Sequence, residues 1–233
     1  MKLTPQDFQD AANELNCDVA SIKAVCEVEA PRGGFNPDGT PVTLFEGHKF
    51  YKYTEGRYAV DAPDLCYKNW TKIYYGKTWQ QEQSRLSRAK ALDLEAALMS
   101  ASWGKFQVMG FNYESAGFTN VHDFVAAMHK SEREHLMAFI GFVRRDGIAP
   151  FLRNRDWGNF ARKYNGASYK DNRYDEKLAM AYAKYAGEDV ESVAEVVTET
   201  VTEAIQEAPV KQPHPAVVFI MALFKFLTGF RKT

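Results

Sequence analysis

The stretch Ile22-Lys23-Ala24-Val25-Cys26-Glu27-Val28-Glu29-Ala30-Pro31 sets an acid on the apolar side of a helix and then ends that helix. At 3.6 residues per turn, Ile22, Val25, Cys26 and Glu29 share one side. Glu27 falls on the other side, four residues beyond Lys23, where a weak ion pair is the ordinary expectation. Pro31 lacks an N–H and cannot occupy a helix interior, so the helix stops before it. Glu27 therefore reads as solvated and Glu29 as turned toward the core. A carboxyl among apolar neighbours tends to keep its proton, the state a general acid needs at neutral pH. The competing reading is that Glu29, in the last turn beside Pro31, simply reaches solvent, and periodicity does not choose between the two.

On either side of this stretch the chain reads as mostly helical. Thr4-Pro5-Gln6-Asp7 is a helix start, with Thr as N-cap, Pro at the first helical position and an acid in the first turn. Asp18 starts the helix that carries Glu29. Gly33-Gly34 and Asn36-Pro37-Asp38-Gly39 are turn chemistry. Val42-Thr43-Leu44-Phe45-Glu46 is the best strand candidate, part of a small β-hairpin region. Asp61-Ala62-Pro63-Asp64 reads as a helix start, and Thr78 with Gln81 as a capping box for one long helix through about Met99. Ser100 to Asn112 breaks the helical rhythm. Ser131 with Glu134 caps a helix that ends at Asp146-Gly147. Asp156 to Tyr164 is a short helix stopped by Asn165-Gly166. A last helix runs from about Arg173 to Tyr185.

The chain of 233 residues is 45% hydrophobic, enough for one sizeable core with chain left over. Its formal net charge of −1 gives no reason to expect nucleic acid or an anionic surface as a general partner. The charge is unevenly spread. Four basic and seven acidic residues lie from Gly187 onward, leaving 25 and 23 before it. Cys17, Cys26 and Cys66 are scattered, with neither metal spacing nor a disulfide framework, which suits synthesis in a reducing compartment. No His-Glu-x-x-His or Cys/His set is present, so no metal or cofactor is expected. The N-terminus lacks the apolar run of a signal peptide, so the expected place of synthesis is the cytoplasm.

Two further segments carry chemistry. In Ser102-Trp103-Gly104-Lys105-Phe106-Gln107-Val108-Met109-Gly110-Phe111-Asn112, polar side chains alternate with aromatic residues and glycines. Aromatic faces with a few amides suit sugar rings, and a packed inter-helix loop is the plainer reading. Lys163-Tyr164-Asn165-Gly166 reads equally as a helix end. Taken in order, Glu29, then Ser102…Gln107…Met109, then Tyr164-Asn165 resemble the lysozyme-like superfamily, in particular goose-type lysozymes and soluble lytic transglycosylases. Val28-Glu29 with Gly34-Phe35, Leu44-Phe45-Glu46-Gly47-His48-x-Phe50 and Ala101-Ser102-Trp103-Gly104-x-Phe106-Gln107-Val108-Met109-Gly110-x-Asn112 resemble more closely the N-acetylmuramidase family of phage endolysins.

This resemblance spans about residues 5 to 185. It implies a mainly α (α+β), lysozyme-like domain that cleaves the β-1,4 bond between N-acetylmuramic acid and N-acetylglucosamine in bacterial peptidoglycan, the alternatives being a lytic transglycosylase that forms 1,6-anhydro ends and a non-catalytic wall-binding or virion protein. It places Glu29 at the family's catalytic glutamate, Ser102, Gln107 and Asn112 along the substrate groove, and Tyr164 and Asn165 where they orient the acid and the sugar. The segment departs from the transglycosylase Gly-Leu-Met-Gln pattern, so Gln107 need not match that family's glutamine. Glu46 is the second candidate carboxylate, either holding a water as general base or tying down His48 and the hairpin. Asp38, Glu55 and Asp61 are weaker candidates.

The domain is expected over residues 1–186, followed by an acidic helical linker with a Pro-rich end over 187–215. In the linker Glu191, Glu195, Glu199, Glu203 and Glu207 recur every fourth residue. Residues 216–233 form an apolar C-terminal helical tail. The run Ala216–Phe230, followed by Arg231-Lys232, is shorter than the ~20 residues that span a bilayer comfortably. It reads in three ways: a helix packed on the domain, a membrane-seeking peptide, or a short anchor. The expected protein is a monomer that acts on the cell wall after release.

Overall fold

A computed structural model describes residues 2–165 and 167–187. Gly166, the acidic linker beyond Gly187 and the apolar tail over 216–233 lie outside the described residues. The described chain divides into two compact units, one of residues 2–3 with Arg32–Arg145, the other of Thr4–Pro31 with the described residues from Asp146 to Gly187. Reading residues 1–186 as one stretch did not draw this division. No described helix is long and apolar enough to cross a membrane.

The second unit begins with α1, Pro5–Leu15. The Thr4 hydroxyl accepts from the Asp7 N–H while the Asp7 carboxylate accepts from the Thr4 N–H (2.7 Å), a reciprocal cap. Helix α2, Val19–Glu29, is capped by Asp18, whose Oδ1 accepts from the Ser21 N–H at 2.6 Å. The same unit later contributes three more helices: α8 (Ala149–Arg153), α9 (Trp157–Asn165) and α10 (Tyr174–Ala186). Helix α10 packs on both α2 and α9. Ile22 and Val25 from α2, Phe160 and Tyr164 from α9, and Tyr174 and Leu178 from α10 are all buried.

The first unit holds a three-stranded antiparallel sheet in the order β1 (Thr43–Phe45), β2 (Ala101–Trp103), β3 (Val108–Met109). Leu44 pairs with Ser102, and Ser102 with Met109. The hairpin partner of the predicted strand is thus the segment read as a loop or a sugar-binding stretch, and β2 and β3 form the hairpin. Its turn needs a left-handed backbone at Gly104 (φ +69) and tolerates one at Gln107 (φ +50). Around the sheet lie α3 (Gly47–Tyr53), α4 (Trp79–Leu92), α5 (Leu94–Met99), α6 (Val121–Met128) and α7 (Glu132–Arg145).

Two expectations about helices need correction. The single helix from Thr78 to Met99 is two, because Asp93 leaves helical geometry (φ −155, ψ 105) and its side chain caps α5 through the Ala96 N–H at 3.0 Å. Asp61-Ala62-Pro63-Asp64 starts no helix but lies in successive turns. The Asp64 carboxylate is instead held by Arg88 at 2.7 and 3.1 Å, which also keeps it below the usual carboxylate range.

Candidate active site

Within the second unit, the last turn of α2 presents Glu29 to the end of α9. Asn165, fully buried, donates from Nδ2 to Glu29 Oε1 at 2.9 Å. Glu29 keeps some exposure as a residue, but its Oε2 is buried and accepts no hydrogen bond from a described residue. Burial of the carboxyl is what governs its ionisation. It pushes Glu29 up to about 7, against the opposing pull of the Asn165 amide and, more weakly, of Lys177. With Oε1 occupied by a donor, the proton of the neutral acid belongs on Oε2. The tyrosines beside it are neutral too. Burial first, then the nearby Glu29, raises the phenols of Tyr164 and Tyr174 above their ordinary value.

Glu27 is exposed, on the opposite side of the helix, as its spacing required. Its partners differ from the one expected: Lys184 Nζ and Tyr185 Oη donate to it at 2.8 and 2.6 Å. Lys23 instead lies over the rings of Phe8 and Tyr185, at 5.9 and 5.6 Å.

In the first unit Glu46 is fully buried. Its Oε1 accepts from the Tyr75 hydroxyl and its Oε2 lies 3.0 Å from His48 Nδ1. Burial raises its pKa, and the contacts to His48, Tyr75 and Arg85 oppose that rise. One carboxylate oxygen is therefore engaged by Tyr75, and the other faces the His48 ring. Beside it runs a buried ion pair that the sequence reading missed. Arg85 Nη1 contacts both oxygens of Glu82 (3.0 and 3.1 Å) and the Phe45 carbonyl (3.2 Å). Glu82 also accepts from the Phe45 and Gly76 N–H groups. The i,i+3 spacing of Glu82 and Arg85 was a visible signal, but it looks the same on a solvated face.

Ser102 and Gln107 are directed inward. The Ser102 hydroxyl donates to Gln107 Oε1 at 2.8 Å, and Gln107 Nε2 donates to the carbonyls of Val42 (3.0 Å) and Gly104 (2.6 Å). In this structure both side chains lock the hairpin. Asn112 is half-buried in a one-turn 3-10 segment, its carbonyl accepting from the Ala116 N–H at 2.9 Å. Asp38, Glu55 and Asp61 are exposed, and Asp38 is occupied by Thr40 at 3.0 and 2.7 Å.

Two groups on α7 that the sequence reading passed over hold the loop before β1 and the hairpin turn. Glu132 Oε1 accepts from the Gly34 N–H at 2.7 Å. His135 Nδ1 accepts from the Lys105 N–H (3.0 Å), so Nε2 carries the proton donated to the Met128 carbonyl (2.7 Å). Protonating Nδ1 would set two N–H groups against each other. Burial, with Lys105 and His129 assisting and the Met128 carbonyl and Glu132 opposing, holds the ring below its ordinary value. A depressed histidine contributes stability that is full above the unfolded value of ~6.5 and is lost as pH falls. An NMR titration of the His135 ring is expected to give a midpoint below 6.5, and a midpoint at or above that value would contradict the neutral clamp.

This fold is mainly α and lysozyme-like, with a buried carboxyl at a helix end held by an asparagine from a late helix. The family model for N-acetylmuramidase matches residues 18–186. The structure is similar to the crystal structure of Burkholderia AP3 phage endolysin, at 39% identity and a TM-score of 0.75, covering 79% of this chain and 71% of that one. No curated protein sequence matches. The chain belongs to the N-acetylmuramidase family, and its substrate class is bacterial peptidoglycan.

Proposed function

We propose that this chain is an endolysin that hydrolyses the β-1,4 bond between N-acetylmuramic acid and N-acetylglucosamine, with Glu29 as general acid. The observation that carries this reading is the carboxyl of Glu29, buried, pushed up to about 7 and fixed through one oxygen by Asn165. Such a group is still substantially protonated near neutral pH, and a matched pKa is what makes a general acid effective. In the proposed step, the protonated Glu29 carboxyl gives its proton to the glycosidic oxygen as its bond to the anomeric carbon breaks. Water then adds to that carbon, and the proton it releases restores the acid. Tyr164 is buried against Phe160, their ring centroids 5.6 Å apart, and supports Asn165 from within α9.

Glu46 is assigned a structural role in this reading, because it is fully buried, Tyr75 donates to one of its oxygens and the His48 ring lies 3.0 Å from the other. Ser102 and Gln107 are assigned the same kind of role in the hairpin, and Asn112, half-buried beside it, remains the candidate sugar contact of that segment. If the second carboxylate is not needed, groups on the sugar assist the anomeric carbon. That possibility brings in the second reading, a lytic transglycosylase, which the Tyr164-Asn165 pair at Glu29 favours. The two differ in product. Mass spectrometry of digested peptidoglycan is expected to show reducing muramic acid ends, whereas 1,6-anhydro ends would replace hydrolysis by transglycosylation.

A further inference from the structure

The segment Cys66–Thr78 carries Lys68, Lys72 and Lys77 and no acid, together with Tyr67, Trp70, Tyr74 and Tyr75. It belongs to the first unit and takes no part in the chemistry assigned to Glu29. Its base is fixed to the buried polar cluster. The Tyr67 N–H donates to the Gly47 carbonyl at 3.4 Å, the Tyr75 hydroxyl donates to Glu46, and the Gly76 N–H donates to Glu82. Gly47 is required there: a Cβ would lie 2.2 Å from the Tyr67 ring and 2.7 Å from the Leu65 carbonyl oxygen.

The tip is the opposite. Trp70, Ile73 and Tyr74 are 48%, 76% and 36% exposed. Lys72 Nζ lies 5.6 Å from the centre of the Trp70 ring, and the Tyr67 ring lies 5.1 Å from that of Tyr74. Each exposed ring is thus backed by a neighbour and keeps a large part of its surface in solvent. Lys68 and Lys77 are exposed, and no described carboxylate pairs with them or with Lys72. Aromatic rings held in place, with little ordering left to lose, suit a flat and partly apolar ligand. Three cations without acids beside them suit a ligand that carries carboxylates.

We propose that the Cys66–Thr78 loop is a binding shelf for peptidoglycan strands, with saccharide rings on Trp70 and Tyr74 and the acidic stem peptides on Lys68, Lys72 and Lys77. The proposal rests on the muramidase reading for its choice of ligand. Charge complementarity decides the occupant, since the stem peptides bring carboxylates beside the sugar rings the aromatics would hold.

The test uses the full chain with Glu29→Gln, so that binding is measured without digestion. Co-sedimentation with purified sacculi is compared for that protein and for versions that also carry Trp70→Ala with Tyr74→Ala, or Lys68→Glu with Lys72→Glu and Lys77→Glu. All versions are checked for unchanged thermal melting. The aromatic pair is expected to weaken binding about tenfold. The lysine triple is expected to weaken it about tenfold at low salt and much less at ~0.5 M salt. On sacculi stripped of stem peptides the lysine effect disappears and the aromatic effect stays. Should only the lysine version lose its stability, neutral Lys→Gln replacements give the same comparison.

Unchanged binding in both sets overturns the proposal, as does loss of binding to phosphatidylglycerol vesicles without loss on sacculi, which would mark a lipid-facing loop. Failure of the underlying reading is separately visible. The unmodified protein would then release no muropeptides from sacculi, whatever the shelf variants do.

Discussion

Replacing Glu29 by Gln is expected to lower peptidoglycan lysis by about 10²-fold or more, the scale of a lost general acid, while making the protein more stable at alkaline pH. Both effects have the same source. The carboxyl is buried, Oε2 accepts no hydrogen bond from a described residue, and its pKa stands at about 7 against an ordinary 4.5. Because the folded value is raised, the native state holds the proton more tightly than the unfolded chain. The stability tied to this group is full below pH 4.5 and is lost as pH rises through about 7. The loss approaches roughly 3 kcal/mol once the acid is ionised, taking 1.36 kcal/mol per pKa unit. Gln keeps the shape and can still meet Asn165, but it never ionises. Thermal melting at pH 8 should therefore favour the Gln variant by several degrees, with the two proteins nearly equal at pH 4.5. Lysis by the unmodified enzyme should fall as pH rises above about 7. Near-normal lysis by the variant would remove Glu29 from the mechanism. A variant that is inactive but no more stable at pH 8 would mean that the carboxyl is not desolvated as described.

The second large effect is expected at the Glu82–Arg85 pair, where chemistry plays no part. Glu82→Ala leaves Arg85 buried without its ion-pair partner, beside carbonyls, the Tyr67 side chain, the rings of Phe45 and Tyr75 at 5.4 and 5.8 Å, and Glu46, whose carboxyl feels its charge. It also orphans the N–H groups of Phe45 and Gly76. Breaking a buried pair from one side typically costs ~3–5 kcal/mol, much of it the burden of the remaining charge. Replacing both residues together, Glu82→Leu with Arg85→Met, should recover a good part of that loss, because no lone charge is left in the core. Denaturant unfolding of the single and double variants measures both. A single variant within about 0.5 kcal/mol of the unmodified protein would show that the pair behaves like an exposed one.

What could be read from sequence was whatever is settled within one turn of chain. Thr4, Asp18, Thr78 and Asp93 bond to an N–H three residues on. The first three were legible for that reason. Asp93 was passed over because the apolar rhythm runs through it. Asn120, which caps α6 through the Asp123 N–H at 2.8 Å, offered the same local signal and went unread. Helix α3 offered none, since Glu46 precedes it without a side-chain cap and turns its carboxylate to Tyr75 and His48 instead. Asp61–Asp64 misled because Arg88, 24 residues away, outcompetes the local cap. Strand β1 was recognisable from its residues, but its partner β2 lies far along the chain and no local pattern points to it.

The site divides in the same way. The helical face of Glu29 followed from spacing. Its hydrogen bond to Asn165, across 136 residues, was accessible only through the ordered motifs of a resembling family. Ser102 and Gln107 show the converse. Their residue types suited sugar binding, and the β-hairpin used the same hydrogen-bonding groups for itself.

The unit that holds Glu29 is assembled from both ends of the described chain, with Arg32–Arg145 intervening. On a ribosome, the acid emerges early and its surroundings emerge last. Until α9 and α10 have cleared the exit tunnel, Glu29 has neither the Asn165 amide nor the buried walls that hold its proton, and it is an ordinary ionised glutamate. On the proposed reading of Glu29, competence to cut waits for synthesis through Ala186, and a shorter nascent chain lacks the surroundings that hold the proton.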